Sequence, residues 1–570
     1  MESRAPSMLL VGLSLCLVAG CGDDATGEGT DAGTSGATTA AVTSEASSGS
    51  AAASSSSSQP ESTGITSSSS SDAQSESTTD DTGGSSSGGG IEATTLRELA
   101  DAVDMRIGAA IKPFELGNDP AYAAVIAEEF NQVTPEFSAK WGQLQPSPDV
   151  WTFDDLDLLV DTAVANEQDF KGHTLVWYFD VPVWAEALGS EELQAALDAH
   201  IDATVTRYAD RIWAWDVVNE AIADGLTGNE APAERLRDNI FVQRLGPGYI
   251  GDAFRRAREA DADALLLYND YDIIGPGAKS DAVYDLMVQL LAEGVPVDGV
   301  GFQTHLSVER YPGPDVIRAN LQRFGALGLE VHISEMDVAT RNLGGAPEDR
   351  LEAQRLAYQS VVEVCATEPA CTTVSLWGVS DDYSWLNSIE APDIPLIFDA
   401  DKARKPAYDG VWSGLLGEGT QEGANIVLNG DFEAGAANWE TLGGTLTIAD
   451  GLGLGDSFGA RVSDRTEIWM GPSQPLDGRF AGMSSWVFRA QVRVSSGTHR
   501  VGQVLRVGSG DDAEYRGVRS TSASTEFTTL SSVYTVLDGG FPSEVLMYLE
   551  GPEPGVDLFV DDVLVAPLSR

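Results

Sequence analysis

Positive charge is what this sequence has least of. Its 570 residues carry 34 Lys and Arg against 88 Asp and Glu, a formal net charge of −54 and a pI near 4.1. Nucleic-acid phosphates would be repelled at every approach, which excludes nucleic acid as a partner, whereas a neutral polymer is not repelled. The surplus carboxylates are scattered, as on a solvated surface that keeps an exported chain in solution. Cysteine is scarce as well, four in all, too few for a zinc framework. A long apolar run is also missing, for residues 8–19 are too short to span a bilayer. That run follows Arg4 and leads into Val18-Ala19-Gly20-Cys21, the form of a bacterial lipoprotein signal with Cys21 as the lipidated residue. Residues 1–21 are read as this signal. It implies export and a lipid anchor in the membrane of the cell envelope or at the cell surface, with an ordinary cleaved leader and free secretion as the alternative. Cys365 and Cys371 are then left over, either as a local disulfide or as free thiols.

Large apolar residues are nearly absent from residues 22–91, where Ser, Thr, Gly and Ala dominate. Such a segment cannot offset the entropy of ordering and is expected to be a flexible stalk. From 92 to 417 the pattern changes to short apolar or β-branched runs alternating with longer helical segments, which predicts a parallel sheet of βα units. Eight strands are expected, centred on Arg106-Ile107-Gly108, Gln132-Val133-Thr134, Phe170-Lys171-Gly172, Ile212 to Trp215, Leu265 to Tyr268, Val300-Gly301-Phe302, Leu329 to Ile333 and Thr373 to Leu376. Eight such units close a (β/α)8 barrel, an α/β fold. Polar residues follow these runs again and again: Glu136, His173, Asn219 with Glu220, Asn269 with Asp270, Gln303 with His305, Glu335 with Asp337, and Trp377. In a barrel the C-terminal strand ends meet on one face, so these distant residues are expected around a single cleft.

Two glutamates ending apolar strands, Glu220 in WAWDVVNE and Glu335 in VHISE, suit glycosidic hydrolysis. That reaction needs one carboxylic acid to protonate the leaving oxygen and one carboxylate to attack the anomeric carbon, about 5 to 5.5 Å apart for retention. The motifs GHTLVW (172–177), WDVVNEA (215–221), YNDY (268–271), QTH (303–305), SEMD (334–337) and KPAYDGV (405–411) occur in the order seen in glycoside hydrolase family 10, the xylanase family, which this region resembles across nearly the whole barrel. The resemblance implies Glu220 as acid/base, Glu335 as nucleophile, Asn219 on the sugar 2-hydroxyl, and His305 with Asp337 orienting the nucleophile beside Gln303. It further implies Glu136, Lys140, His173 and Trp177 gripping sugars on the nonreducing side, and Trp377 and Trp385 as aromatic walls. Two positions depart from the family pattern: Phe137 stands where Asn is usual, and Tyr178 where His is usual. A phenyl ring in place of an amide removes hydrogen bonds to a sugar hydroxyl, a loss of about 1 to 3 kcal/mol in a polar site.

After a Gly-rich break (418–424), residues 425–570 read as short alternating strands, predicting an all-β jelly-roll sandwich. Through NIVLNGDFEAG, DRTEIWMGPSQPL and YLEGPEPGVDLFVDDV this part resembles the family 4, 9 and 22 carbohydrate-binding modules. Arg465, Trp469, Tyr515 and Glu550 are its candidate groove residues, and Glu433 and Asp561 could hold a structural calcium; a purely structural sandwich is the alternative. Together these readings point to a monomeric, retaining endo-β-1,4-xylanase acting on plant cell-wall xylan, with no metal in the active site and no cofactor for the chemistry. A related β-glycanase or β-glycosidase with altered subsites, and a non-catalytic surface glycan-binding protein, are the alternatives.

Overall fold

The computed structural model describes residues 91–388, 391–480, 484–536 and 544–570. The expected signal with Cys21, and the stalk apart from Ile91, lie outside the described residues. Ten strands form in the first half: β1 (Arg106–Ile111), β2 (Gln132–Pro135), β3 (Asp169–Trp177), β4 (Ala214–Asn219), β5 (Leu265–Asp270), β6 (Gly299–Phe302), β7 (His305–Ser307), β8 (Arg310–Pro312), β9 (Glu330–Ala339) and β10 (Cys371–Leu376). Parallel pairing runs β10-β1-β2-β3-β4-β5-β6-β9, and β9 pairs with β10 to close the barrel. Helices pack outside on apolar stripes. In Asp154–Ala165 the buried residues are Leu156, Leu159, Val160 and Ala163, the 3.6-residue period of a one-faced helix. The disulfide Cys365–Cys371 ties the end of helix Pro347–Thr367 to the start of β10.

Several boundaries differ from the sequence expectation; β3, for one, runs on to Trp177, so His173 lies inside it. The fourth strand starts at Ala214, because the Ile212 amide still bonds the Tyr208 carbonyl (3.0 Å) and closes the preceding helix. β9 runs on to Ala339, so Glu335 and Asp337 lie inside a strand rather than beyond it. Inside the barrel, glycine is required where side chains cross. A Cβ on Gly172 would lie 2.1 Å from the Trp215 ring, and one on Gly301 would lie 2.1 Å from Asn269 Oδ1.

The second half is a sandwich of two antiparallel sheets around Phe432, Trp439, Trp486 and Phe488. One sheet runs Thr445–Asp450, Phe458–Ser463, Leu558–Ser569, Ser484–Val494, Thr528–Val536. The other runs Glu440–Thr441, Pro472–Pro475, Val545–Glu550, His499–Val507, Glu514–Ala523. The connecting segment is paired, with Gln421–Glu422 lying antiparallel to Leu568 and Ser569.

Sandwich and barrel are joined through backbone. β8 adds to the edge of the first sheet, with Arg310 opposite Tyr534, Tyr311 opposite Val533 and Pro312 opposite Ser532. Thr535 Oγ1 donates to the Val308 carbonyl (2.7 Å), Arg489 bridges Asp315 (2.7 Å) and Glu422 (2.6 Å), and Val487, Val533 and Leu568 belong to the barrel's own apolar cluster. Among the described residues no helix is long and apolar enough to cross a membrane.

Candidate active site

Glu220 stands one residue past β4 with a positive φ of 57°, a conformation that costs a non-glycine residue about 1 to 3 kcal/mol and persists only when neighbours enforce it. The neighbours are visible. The Glu220 amide donates to the Asn269 carbonyl (2.8 Å) and Arg237 Nε donates to the Glu220 carbonyl (3.1 Å). Tyr268 OH accepts from the amides of Ala221 (3.0 Å) and Ile222 (3.2 Å) while donating to Asp270 (2.6 Å). The Glu220 carboxylate accepts from Trp177 Nε1 (3.0 Å), Gln303 Nε2 (3.0 Å) and Asn219 Nδ2 (3.1 Å).

Glu335 lies across the same network. Asn269 Nδ2 donates both to Glu335 Oε1 (2.6 Å) and to Asn219 Oδ1 (2.9 Å), so two side-chain amides link the two carboxylates. Ser334 Oγ, donating to Asn269 Oδ1 (2.6 Å), fixes which way that amide faces. The other oxygen of Glu335 is 3.5 Å from His305 Nε2, whose Nδ1 is 3.0 Å from Asp337; Trp385 Nε1 also donates to Asp337 (2.8 Å). Burial alone would push Glu335 up, but the imidazoles of His173 and His305 outweigh it and hold the carboxyl below its ordinary range. Burial likewise disfavours charge on His305, yet the Asp337 and Glu335 carboxylates raise it to about 10, so it is an imidazolium at neutral pH.

Behind this pair, His173 Nδ1 is 2.9 Å from Asp216, whose second oxygen is 2.8 Å from Lys171 Nζ, both fully buried. Burial would raise Asp216, but the Lys171 charge and the His173 hydrogen bond overcome it and keep its pKa low. Trp377 stands edge-on to His173, ring centroids 5.1 Å apart, and half-exposed Trp385 sits 5.2 Å from His305. Glu136 and Lys140 are buried on one side of the cleft; Glu136 pairs with Lys112 at 3.3 Å. Lys140 Nζ lies 4.1 Å from the Phe137 ring centroid and 4.4 Å from that of Trp177. Next to Trp177, whose ring centroid is 6.1 Å from its own, Tyr178 carries Arg237 stacked on it (4.6 Å), and Arg237 donates to Asp224 (2.9 Å) and Tyr271 (2.8 Å).

All twelve barrel candidates therefore gather at the C-terminal mouth. The sequence reading placed Asn269 at the cleft without a role and left Ser334, Asp216 and Lys171 off the site. Their signals were an amide at a strand end and a lysine inside the apolar run Phe170-Lys171-Gly172.

In the sandwich, Trp469 and Tyr515 are exposed and Glu550 is partly so. Arg465 is a correction. It is buried, and its guanidinium donates to the carbonyls of Met470 (2.5 Å), Ile468 (2.8 Å) and Val556 (3.1 Å), so it holds the loop bearing Trp469 instead of facing a ligand. Glu433 accepts from the Phe458 amide (3.4 Å), and Asp561 from the Leu454 amide (2.8 Å) and Ser457 Oγ (2.9 Å). No group of three or more His, Cys, Asp or Glu able to hold a metal occurs among the described residues.

Residues 95–413 match the family model for Glycosyl hydrolase family 10. The chain belongs to that family. Residues 424–555 match a carbohydrate binding domain. Among curated relatives, endo-1,4-beta-xylanase B of Thermotoga neapolitana is 36% identical over 318 residues, covering 55% of this chain and 89% of the relative. Xylanase 10B of Thermotoga petrophila RKU-1, solved with xylobiose, superposes with a TM-score of 0.54 at 37% identity, over 57% of this chain and 99% of that one. Native xylanase 10B of Thermotoga maritima gives 0.53, also at 37% identity, over 57% and 98%. The family 10 barrel and its β-sandwich partner are thus both seen in this chain.

Proposed function

We propose that the chain is a retaining endo-1,4-β-xylanase that works by double displacement. The observation that carries this reading is the meeting of Glu220 and Glu335, 115 positions apart in the numbering, on one network of amides at the barrel mouth. Glu335, kept ionised by His305, attacks the anomeric carbon while Glu220 gives its proton to the departing glycosidic oxygen. Water, deprotonated by Glu220, then releases the sugar from Glu335. Asn219 faces the 2-hydroxyl, a contact that strengthens as positive charge grows on the ring. Glu136, Lys140, His173 and Trp177 hold the nonreducing side, and Trp377 and Trp385 wall the cleft. The chemistry uses no cofactor.

Reducing-sugar release from xylan tests this directly. Glu220→Ala should lower kcat about 10²- to 10⁴-fold on substrates with poor leaving groups, Glu335→Ala should remove activity, and on an aryl β-xyloside, whose phenolate leaves without an acid, azide should restore phenol release in both variants, giving the β-xylosyl azide with Glu220→Ala and the α-xylosyl azide with Glu335→Ala. Wild-type release in the two variants would end the assignment.

A second reading, altered preference on the nonreducing side, is favoured by the Lys140 ammonium lying between the Phe137 and Trp177 rings. Phe137→Asn should lower KM for xylo-oligosaccharides about five- to tenfold by restoring an amide. A panel including mixed-linkage glucan reads the preference, and unchanged KM and products on all substrates would remove Phe137 from the argument. A glycan-binding protein without catalysis would have no use for a nucleophile ionised in advance.

We also infer export with a lipid on Cys21, supported by the leader sequence and by a disulfide suited to an oxidising compartment. Loss of palmitate labelling in Cys21→Ser checks it. Calcium bound by Glu433 and Asp561 in the sandwich predicts a fall in Tm on chelation, and a monomer predicts one mass by light scattering.

A further inference from the structure

Two features of the sandwich bear on the barrel. On the outer face of its five-stranded sheet Val504 and Tyr548 point away from the sandwich core yet are only 4% and 3% exposed, so neighbouring side chains cover them and rise as the walls of a trough. Around them stand Tyr515, 65% exposed and opposite Arg506 across the sheet, and Glu550, opposite Gly502. Arg506 Nε is buried with no hydrogen-bond partner among the described residues, so the floor of this trough holds an unused donor.

The second feature is where the trough ends. Its edge strand Glu514–Ala523 lies against loops that leave the barrel mouth after β4, β5 and β6. Ser522, on the trough face, has its Oγ 3.9 Å from where a Cβ on Gly228 would be, in the loop that begins at Glu220. Arg519 Nη2 reaches the Pro276 carbonyl (3.5 Å), and Arg310 Nη1 reaches the Gly517 carbonyl (3.0 Å). Glu136, Lys140, His173 and Trp177, which hold the nonreducing side, follow β2 or belong to β3. The sandwich is therefore on the opposite flank, where the leaving chain departs.

We propose that the outer face of the five-stranded sheet continues the catalytic cleft on the leaving-group side and binds the reducing-end stretch of the same β-1,4-linked chain being cut. This rests on the xylanase reading and deepens it. A module on a loose tether would raise local concentration without changing which bond is cut. One fixed to the barrel by strand pairing acts as distal subsites and sets the bond position.

Xylo-oligosaccharides of graded length, labelled at the reducing end, test the proposal in the full-length chain with Tyr515→Ala and Arg506→Gln. The ratio of kcat/KM on long to that on short substrates should fall about five- to tenfold in each variant, the effect of one lost contact of ordinary strength. Labelled products from long substrates should also become shorter. Unchanged ratios and product lengths overturn the proposal, whether or not affinity for insoluble xylan falls. A wild type that cuts no oligosaccharide would instead overturn the xylanase reading. Calorimetric affinity would then still decide the extension, since a rise with chain length that is lost both in Tyr515→Ala and in the cleft variant Trp377→Ala supports it, and a flat profile, or a rise lost in Tyr515→Ala alone, overturns it.

Discussion

At the scale of single residues, the site is governed by which carboxylates keep their charge. Glu335 is buried and acidic because the imidazoles of His173 and His305 face it, and His305 is an imidazolium because two carboxylates face it. For His305, whose pKa is raised, this stabilisation is complete below the ordinary histidine value of about 6.5 and disappears as pH climbs through about 10. For Glu335, whose pKa is depressed, it is present above the ordinary carboxylate range and disappears as pH falls below that range. His305→Gln removes one of the imidazoles that oppose burial and leaves His173 with the Asn269 amide, so the acid limb of kcat/KM should move to higher pH. A pH–rate profile on a soluble substrate measures it, and an unmoved limb would show that Glu335 owes its charge to other groups.

Elements set where those residues point. β5 brings Asn269 to the centre, and the neighbouring position on β6 must be glycine for its amide to fit. Gly301→Ala should displace Asn269 and lower kcat about 10²-fold, the usual loss when a catalytic group shifts by about an ångström, with a smaller change in KM; wild-type kcat would mean the amide network is dispensable. The barrel strands were readable because each is a short apolar run between polar helical stretches, and the site was readable because functional side chains sit at strand ends. Less legible were features that depend on contact between distant segments. Asn269 looks like any polar strand end until Gly301 and Ser334 are seen beside it, and Arg465 looks like a ligand-binding arginine until three carbonyls surround its guanidinium. The hairpin β7–β8, with strands of three residues each, carries too little periodicity to be predicted.

At the scale of the whole molecule, barrel and sandwich share one apolar cluster and one strand ladder. Heating should melt them together, giving a single calorimetric transition with the loss of near-ultraviolet ellipticity and of activity coinciding. Val533→Asp puts a charge into that shared cluster and should split the transition in two; two transitions already in the wild type would show that the halves unfold independently. The ladder has a further consequence for recombination, natural or engineered. The hairpin that opens with His305 closes with the strand gripped by Thr528–Val536. Moving this sandwich onto another barrel would thus leave a raw edge on both donor and recipient unless that hairpin travelled with it, so the inheritable unit here extends from the catalytic histidine to the end of the chain.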